Sequence, residues 1–169
     1  MDARSAGIRK TARGLFWRGL AAAWALTVCL TPAALAQKAG PLTFGVLLPL
    51  SGPLADFGKT SKAALDLAQA DINAYLAASG QGGTATFLIE NTGGSPEQAL
   101  EKLKSLAGRG VRAVIGPYSD DEAEACLEFA DKNNIVLISQ GSSGPFLSKK
   151  GDNLFRLSPS DTYQAEAVT

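Results

Sequence analysis

The stretch of sequence that decides the fold is FGVLLPLSGPLADFGK, residues 44–59. Residues 44–48 form an apolar run that suits a strand buried on both faces of a sheet. A loop broken by proline and glycine follows, and it opens a long amphipathic segment. In α/β folds this order places a small-molecule site at the carboxyl end of a buried strand. The stretch therefore predicts the first strand-loop-helix unit of such a fold.

The end of this stretch, GKT at 58–60, also looks like part of a nucleotide-binding P-loop. That motif needs four residues between its first glycine and Gly-Lys-Ser/Thr, because loop length sets which N–H groups converge on the phosphates. Five residues separate Gly52 from the second glycine here, and Pro49 and Pro53 each lack an N–H donor. We therefore interpret Lys59 as a solvated residue in the first turn of a helix.

The N-terminus has the pattern of a secretory signal peptide, with basic residues before an apolar core at 20–30. Residues 34–36, Ala-Leu-Ala, fit a small-x-small cleavage site. We expect export to the periplasm with cleavage between Ala36 and Gln37. A retained membrane anchor is the alternative, although a spanning segment needs about 20 apolar residues.

Cleavage at that site changes the charge of the chain. It removes five of the 16 basic residues but only one of the 16 acidic residues, which leaves 11 against 15 and a net charge of minus four. No basic run remains, and nucleic-acid binding proteins use such runs to neutralise phosphates. We therefore expect a mildly acidic domain with no nucleic-acid partner.

Two residue types limit the chemistry of the chain. Cys126 is the only cysteine that cleavage would leave, so we expect no intrachain disulfide and a packing role for this thiol. The chain contains no histidine, which excludes Ser-His-Asp and Cys-His nucleophiles and every imidazole metal site. We expect a binding protein rather than an enzyme, with no cofactor and no metal.

Strand and helix patterns alternate along the rest of the chain. Apolar runs predict strands at 44–48, 84–90, 111–115 and 135–138. Apolar residues at helical spacing predict helices from 58 to about 79, from 96 to 108 and from 120 to about 132. In the first helix we expect four polar residues to face water, namely Lys62, Asp66, Gln69 and Asn73.

The second and third helices carry capping signals. Ser95 can cap the second helix, where Gln98 can reach back to the cap. At the third helix, Ser119 can act as the cap and Glu122 can reach back to it. The signals place both helix starts directly after short loops.

Four strands alternating with three helices predict an α/β fold, a doubly wound parallel sheet in three α/β/α layers with right-handed crossovers. Ligands of such sheets lie outside the carboxyl ends of the strands. The dinucleotide fingerprint G-x-G-x-x-G is absent from the first turn. Small and polar residues fill the loops at that edge, which are residues 49–57, 91–95, 116–120 and 139–144.

Four segments taken together resemble a known family. They are LPLSGPLADFG at 48–58, IGPYSD at 115–120, LISQGSSGP at 137–145 and FRLSPSD at 155–161. They are similar to segments of type I periplasmic binding proteins of the leucine/isoleucine/valine-binding group, the solute-capture subunits of bacterial ABC importers. The resemblance implies two lobes that close like a hinge on a ligand.

The resemblance also implies a domain organisation. A signal peptide at 1–36 is followed by a partial N-terminal ligand-binding lobe at 37–161, and residues 162–169 begin a second lobe. The chain then looks like an N-terminal fragment. By itself such a fragment is expected to bind ligand weakly and to expose an apolar sheet edge prone to association.

Binding residues follow from the resemblance. Hydroxyls and backbone N–H groups after the third and fourth strands would hold the α-carboxylate of an amino acid, helped by a helix N-terminus. The positions that match are Ser119, Gly141, Ser142 and Ser143, while Phe57 and Tyr118 would line an aromatic entrance. Serines in such loops also have an ordinary explanation as caps and polar turns.

Asp120 departs from the family pattern, which commonly has serine at this position. An ionised aspartate would repel a ligand carboxylate in a partly desolvated cleft. Either Asp120 turns outward as an acid in the first turn of a helix, or the ligand carries a cationic or donor-rich group there. We favour the outward orientation.

The function that the resemblance implies is capture of an amino acid or a similar small polar metabolite. The partner would be an ABC transporter membrane permease, and the complete protein would be monomeric. A periplasmic sensory domain, or a regulator that binds another protein, is the alternative on the same fold. A transmembrane segment and a signalling domain encoded after Thr169 would favour the sensor.

Overall fold

The computed structural model describes residues 40–80 and 82–168. The strands are β1 (Leu42–Leu48), β2 (Ala85–Asn91), β3 (Ala113–Ile115), β4 (Val136–Ser139) and β5 (Leu154–Arg156). The helices are α1 (Ala55–Ala78), α2 (Pro96–Gly108), α3 (Asp120–Lys132) and α4 (Asp161–Val168), and a 3₁₀ turn covers Pro145–Leu147. Every strand and helix predicted from the sequence is present, and β5 is an additional strand. The signal peptide at 1–36 and the Ala36/Gln37 cleavage site lie outside the described residues.

The five strands form one parallel sheet in the order β2-β1-β3-β4-β5. The chain moves from β1 to β2 on one side and then returns to β3, β4 and β5 on the other. The strand order therefore reverses between β1 and β3, and ligands of open α/β sheets bind at the carboxyl ends beside such a switch point. The predicted α/β class and doubly wound parallel sheet are confirmed.

The main core lies between the sheet and the two helices α2 and α3. Alternate strand residues point to this side, because side chains along a strand alternate between the two faces. Leu47, Val114 and Leu137 come from three neighbouring strands, and all are buried. They pack with buried residues of the two helices, namely Ala99, Leu103, Leu106, Cys126 and Ala130.

Helix α1 lies against β1 and β2 on the opposite face of the sheet. A Cβ at Gly58 would overlap the carbonyl oxygen of Pro49. Helix α1 can therefore approach the end of β1 this closely only because Gly58 has no side chain. The glycine in the P-loop-like sequence GKT therefore serves the packing of α1 against β1. Lys59 is exposed and lies 3.8 Å from Asp56 Oδ1, as expected for a solvated residue.

Two polar residues of α1 do not face water as the sequence pattern predicts. Asn73 bonds the backbone of Ala85 twice, accepting from its N–H at 2.7 Å and donating to its carbonyl at 3.0 Å. Gln69 accepts from the N–H of Phe87 at 2.7 Å. The prediction for these two residues was wrong because β2 is an edge strand, whose outward backbone groups need partners.

The helix caps are confirmed at α3 and modified at α2. Ser119 accepts from Glu122 N–H at 3.4 Å, and Glu122 accepts from Ser119 N–H at 3.1 Å, which completes a capping box. Ser95 accepts from Gln98 N–H at 3.3 Å, but its hydroxyl donates to Glu97 at 2.7 Å. That hydrogen bond holds the pKa of Glu97 below its ordinary value.

Candidate functional site

An aromatic pair spans the switch point between β1 and β3. Phe57 comes from α1 after the β1 loop, and Tyr118 comes from the loop after β3. Their rings stack with centroids 5.4 Å apart and an interplanar angle of 24°. Phe57 is 55% exposed, so the pair offers an apolar surface to solvent. Both residues were predicted to line an entrance, and the structure brings them together.

The loop after β4 packs directly against this pair. A Cβ at Gly141 would lie 2.8 Å from the Tyr118 ring and 2.7 Å from the Tyr118 carbonyl oxygen, both too close for a real side chain. The glycine therefore permits residues 141–144 to lie beside the aromatic pair. The two loops form one continuous surface, which we call the switch-point wall: Phe57, Tyr118, Ser119, Asp120 and residues 141–144.

The serines of the wall have different environments. Ser119 is part-buried, and its hydroxyl donates to Glu122 Oε2 at 2.9 Å, so its proton is committed to the helix cap. Ser142 is fully buried, and its hydroxyl has no hydrogen-bond partner among the described residues. Ser143 is part-buried, and its carbonyl oxygen accepts from Asp161 N–H at 3.0 Å. A role for the Ser143 hydroxyl in ligand contact stays a prediction.

Asp120 points to the neighbouring loop. Its Oδ1 accepts hydrogen bonds from the backbone N–H of Ser143 at 2.7 Å and of Gly144 at 3.0 Å. The favoured outward orientation was therefore wrong. Two free N–H donors in a nearby loop attract a carboxylate more strongly than water alone does, because charge-assisted hydrogen bonds are the stronger kind. The Asp120 side chain therefore links the start of α3 to the loop after β4.

Sequence reasoning missed Gly144, which belongs to the wall, and Arg156, which supports it. Arg156 on β5 donates to the Gly144 carbonyl oxygen at 2.9 Å and so fixes the far end of the loop. The signal for β5 was present in the apolar residues Leu154 and Phe155 before the arginine. Residues 155–161 were interpreted only as a segment that resembles the family, so a strand at Leu154–Arg156 and its pairing with β4 were not predicted.

An apolar recess lies next to the wall on the α1 side of the sheet. It has a volume of about 220 Å³ and is lined by Ser61, Ala64, Leu65, Ile115, Gln140 and Leu157. The Gln140 side-chain oxygen is buried without a hydrogen-bond partner among the described residues. The surface of the recess is therefore mainly apolar.

Cys126 has the packing role predicted from the sequence. The thiol is fully buried in the core between α2, α3 and the sheet. Burial, with the nearby charge of Glu122, raises the pKa of Cys126 to about 12. A thiol that stays protonated at neutral pH is a poor nucleophile and a poor metal ligand.

Two kinds of structural feature are absent from the described ranges 40–80 and 82–168. No helix within them has the length and apolar character needed to cross a membrane. No group of three or more acidic or cysteine side chains there is arranged to hold a metal ion.

The sequence and the fold are similar to those of known solute-binding proteins. Residues 41–169 match the family model described as periplasmic binding protein. The Leu/Ile/Val-binding protein homolog 3 of Brucella melitensis is 29% identical over 147 residues, which cover 86% of this chain and 38% of the relative. The Leu/Ile/Val-binding protein BraC3 of Rhizobium johnstonii is 27% identical and covers 75% of this chain and 34% of the relative.

The fold is also similar to that of a solved substrate-binding protein. The branched-chain amino acid transporter substrate-binding protein LivJ of Streptococcus pneumoniae, solved with isoleucine, has a TM-score of 0.65 and 26% identity. The match covers 72% of this chain and 35% of LivJ. The chain spans about a third of the length of the curated relatives it matches. It belongs to the type I periplasmic binding proteins, in the family of the Leu/Ile/Val-binding proteins.

Proposed function

We propose that this chain is part of an exported solute-binding protein of an ABC importer, which captures an amino acid or a similar small polar metabolite. The observation that carries the proposal is the switch-point wall, where a partly exposed aromatic pair and a polar loop meet at the carboxyl edge of the sheet. Its place in the fold is where α/β sheets bind ligands. The relatives named above are Leu/Ile/Val-binding and transporter substrate-binding proteins.

In this proposal, residues 37–161 supply one wall of a cleft and residues 162–169 begin the second lobe. Closure of the lobes is a hinge motion that the ligand favours by binding the closed state more tightly. The ligand leaves chemically unchanged, so no catalytic residue or cofactor is required. The complete protein works as a periplasmic monomer that delivers its ligand to a membrane permease.

The test is ligand-dependent thermal stabilisation of the protein expressed from its complete gene. A ligand that binds only the native state raises the melting temperature as its concentration exceeds the dissociation constant. The panel contains amino acids, their amides, urea-type solutes and aromatic acids. We expect at least one class to raise the melting temperature, and no response to any of them would contradict the proposal.

A pair of matched variants links binding to the switch-point wall. Phe57 and Leu67 are both exposed apolar residues of α1, at 55% and 65% exposure, but only Phe57 stacks on Tyr118. Phe57→Ala should weaken binding of the identified ligand about tenfold, in the range expected for loss of an aromatic anchor. Leu67→Ala should leave it unchanged, and equal effects would place the ligand elsewhere.

A further inference from the structure

The carboxylate of Asp120 occupies an anion site that the protein builds from its own backbone. Two consecutive N–H groups, those of Ser143 and Gly144, converge on the same oxygen at 2.7 and 3.0 Å. Asp120 is also the first residue of α3, where the helix dipole favours a negative charge. A carboxylate from a ligand would need these same donors, and they are already engaged.

The charge of Asp120 is not neutralised by a neighbouring side chain. No basic residue within the described ranges lies within 4.0 Å of its carboxylate. Other acids lie close by, because Asp121 and Glu122 follow in the same helical turn. Asp161 begins α4 and donates its N–H to the Ser143 carbonyl oxygen. This side of the wall is therefore acidic.

Arg156 also approaches this loop, but its guanidinium donates hydrogen bonds to groups other than Asp120. One of its nitrogens donates to the Gly144 carbonyl oxygen at 2.9 Å, and another donates to the Ser148 hydroxyl. The guanidinium thus contacts the side of the loop that carries carbonyl groups. Asp120 contacts the side that carries N–H groups, and its Oδ2 accepts no hydrogen bond from the described residues.

Aromatic rings flank the other end of the same loop. Tyr118 contacts Gly141, and Phe57 stacks on Tyr118 with more than half of its surface exposed. The faces of aromatic rings carry negative electrostatic potential and attract ammonium groups. A carboxylate oxygen without a hydrogen bond from the described residues and a partly exposed aromatic pair on one loop both favour a cation and disfavour an anion.

We propose that the switch-point wall selects a solute that presents an ammonium or other cationic N–H group to Asp120 and carries no free carboxylate there. Asp120 is the specificity-determining residue: its Oδ1 holds residues 143–144, and its Oδ2 receives the ligand. A zwitterionic amino acid placed with its α-carboxylate at this wall meets like charge and occupied donors. The inference rests on the proposed solute-binding function and narrows its ligand class.

The test compares amino acids with their amides on the protein expressed from its complete gene. The probes are L-leucine, L-phenylalanine and glycine, each beside its C-terminal amide, so that only the carboxylate is replaced by a neutral group. Melting temperature is recorded against probe concentration, and affinity is then measured by calorimetry. We expect at least one amide to bind at least ten times more tightly than its parent amino acid.

Two aspartates of the same helical turn provide the matched variants. Asp120→Asn keeps an oxygen that can accept from Ser143 and Gly144 but removes the charge, so the loop should hold its place. This variant should weaken amide binding about tenfold and reduce the preference for the amide over the amino acid. Asp121→Asn removes the same charge from an exposed residue that makes no hydrogen bond to residues 143–144 in the described part of the chain, and we expect less than a twofold change.

The outcomes separate the inference from the function on which it rests. Tighter binding of a free amino acid or an aromatic acid overturns the inference but supports solute binding. Equal effects of the two asparagine variants overturn the assigned role of Asp120. The amino acid and amide comparison on the unmodified protein decides the ligand class even if Asp120→Asn does not fold. No response to any solute in either panel contradicts both proposals.

Discussion

Ser139 and Ser142 differ in whether their buried hydroxyl groups have a hydrogen-bond partner. Both side chains are fully buried, and they are three residues apart. Ser139 Oγ accepts from Ser142 N–H at 3.1 Å, whereas Ser142 Oγ has no partner among the described residues. A buried polar group without a partner lowers stability by the cost of its lost hydration.

The two serines should therefore respond oppositely to replacement by alanine. Ser142→Ala removes an unpaired hydroxyl and should raise the free energy of unfolding by about 1 kcal/mol. Ser139→Ala leaves the Ser142 N–H without an acceptor and should lower it by about 1–3 kcal/mol. Urea denaturation measures both, and a loss of stability in Ser142→Ala would show that its hydroxyl has a partner in the complete protein.

At the scale of elements, α1 protects the edge of the sheet that β2 leaves open. Asn73 and Gln69 together engage the Ala85 N–H and carbonyl and the Phe87 N–H. Exposed edge strands pair readily with other chains unless such groups are covered. On the opposite edge strand, β5, the Leu154 N–H donates to Asp152 Oδ1 at 3.3 Å.

Asn73→Ala should therefore loosen β2 in particular. The change leaves the Ala85 N–H and carbonyl without side-chain partners and should cost about 1–3 kcal/mol. Hydrogen–deuterium exchange should show faster exchange for the amides of Ala85–Asn91 than in the unmodified protein. Asp71→Ala, at an exposed position on the same helix, is the control and should leave that exchange rate unchanged. Equal effects would mean that α1 as a whole, and not the side-chain bridge, protects the edge.

At the scale of the molecule, the two faces of the sheet are covered unequally. Helices α2 and α3 cover one face, and α1 lies mainly over β1 and β2 on the other. Phe155 on β5 is 58% exposed, and Leu157, which lines the apolar recess just beyond β5, is 73% exposed. Contiguous apolar surface of this kind promotes association with other chains.

Residues 37–169 expressed alone should therefore associate as concentration rises. The double variant Phe155→Ser with Leu157→Ser should reduce that association, because it removes two large exposed apolar side chains at this end of the sheet. Leu67→Ser is the control, since Leu67 is equally exposed but lies roughly 160° around α1 from the recess residue Leu65. Sedimentation velocity measures the distribution, and a purely monomeric chain at all concentrations would contradict the prediction.

The order of the elements and the start of α3 could be predicted because their signals are local. The apolar run of β1 and the Ser119–Glu122 capping box each involve residues that are close in sequence. The strand–helix alternation predicted that the loops with Phe57, Tyr118 and residues 141–144 share one edge of the sheet, and the family resemblance predicted their role in binding. Only the structure showed that Phe57 stacks on Tyr118 and that Gly141 allows its loop to pack against the Tyr118 ring.

The sequence by itself determined that FGVLLPLSGPLADFGK is a buried strand, a loop and a helix, because periodicity and turn residues act within a few positions. Only the tertiary structure decided where Asp120, Gln69 and Asn73 point. Their partners lie 12 to 24 residues away in the sequence. A polar side chain with a solvent-facing pattern turns to the protein when unpaired backbone donors come within reach, and those donors are positioned only once the sheet and its loops have formed.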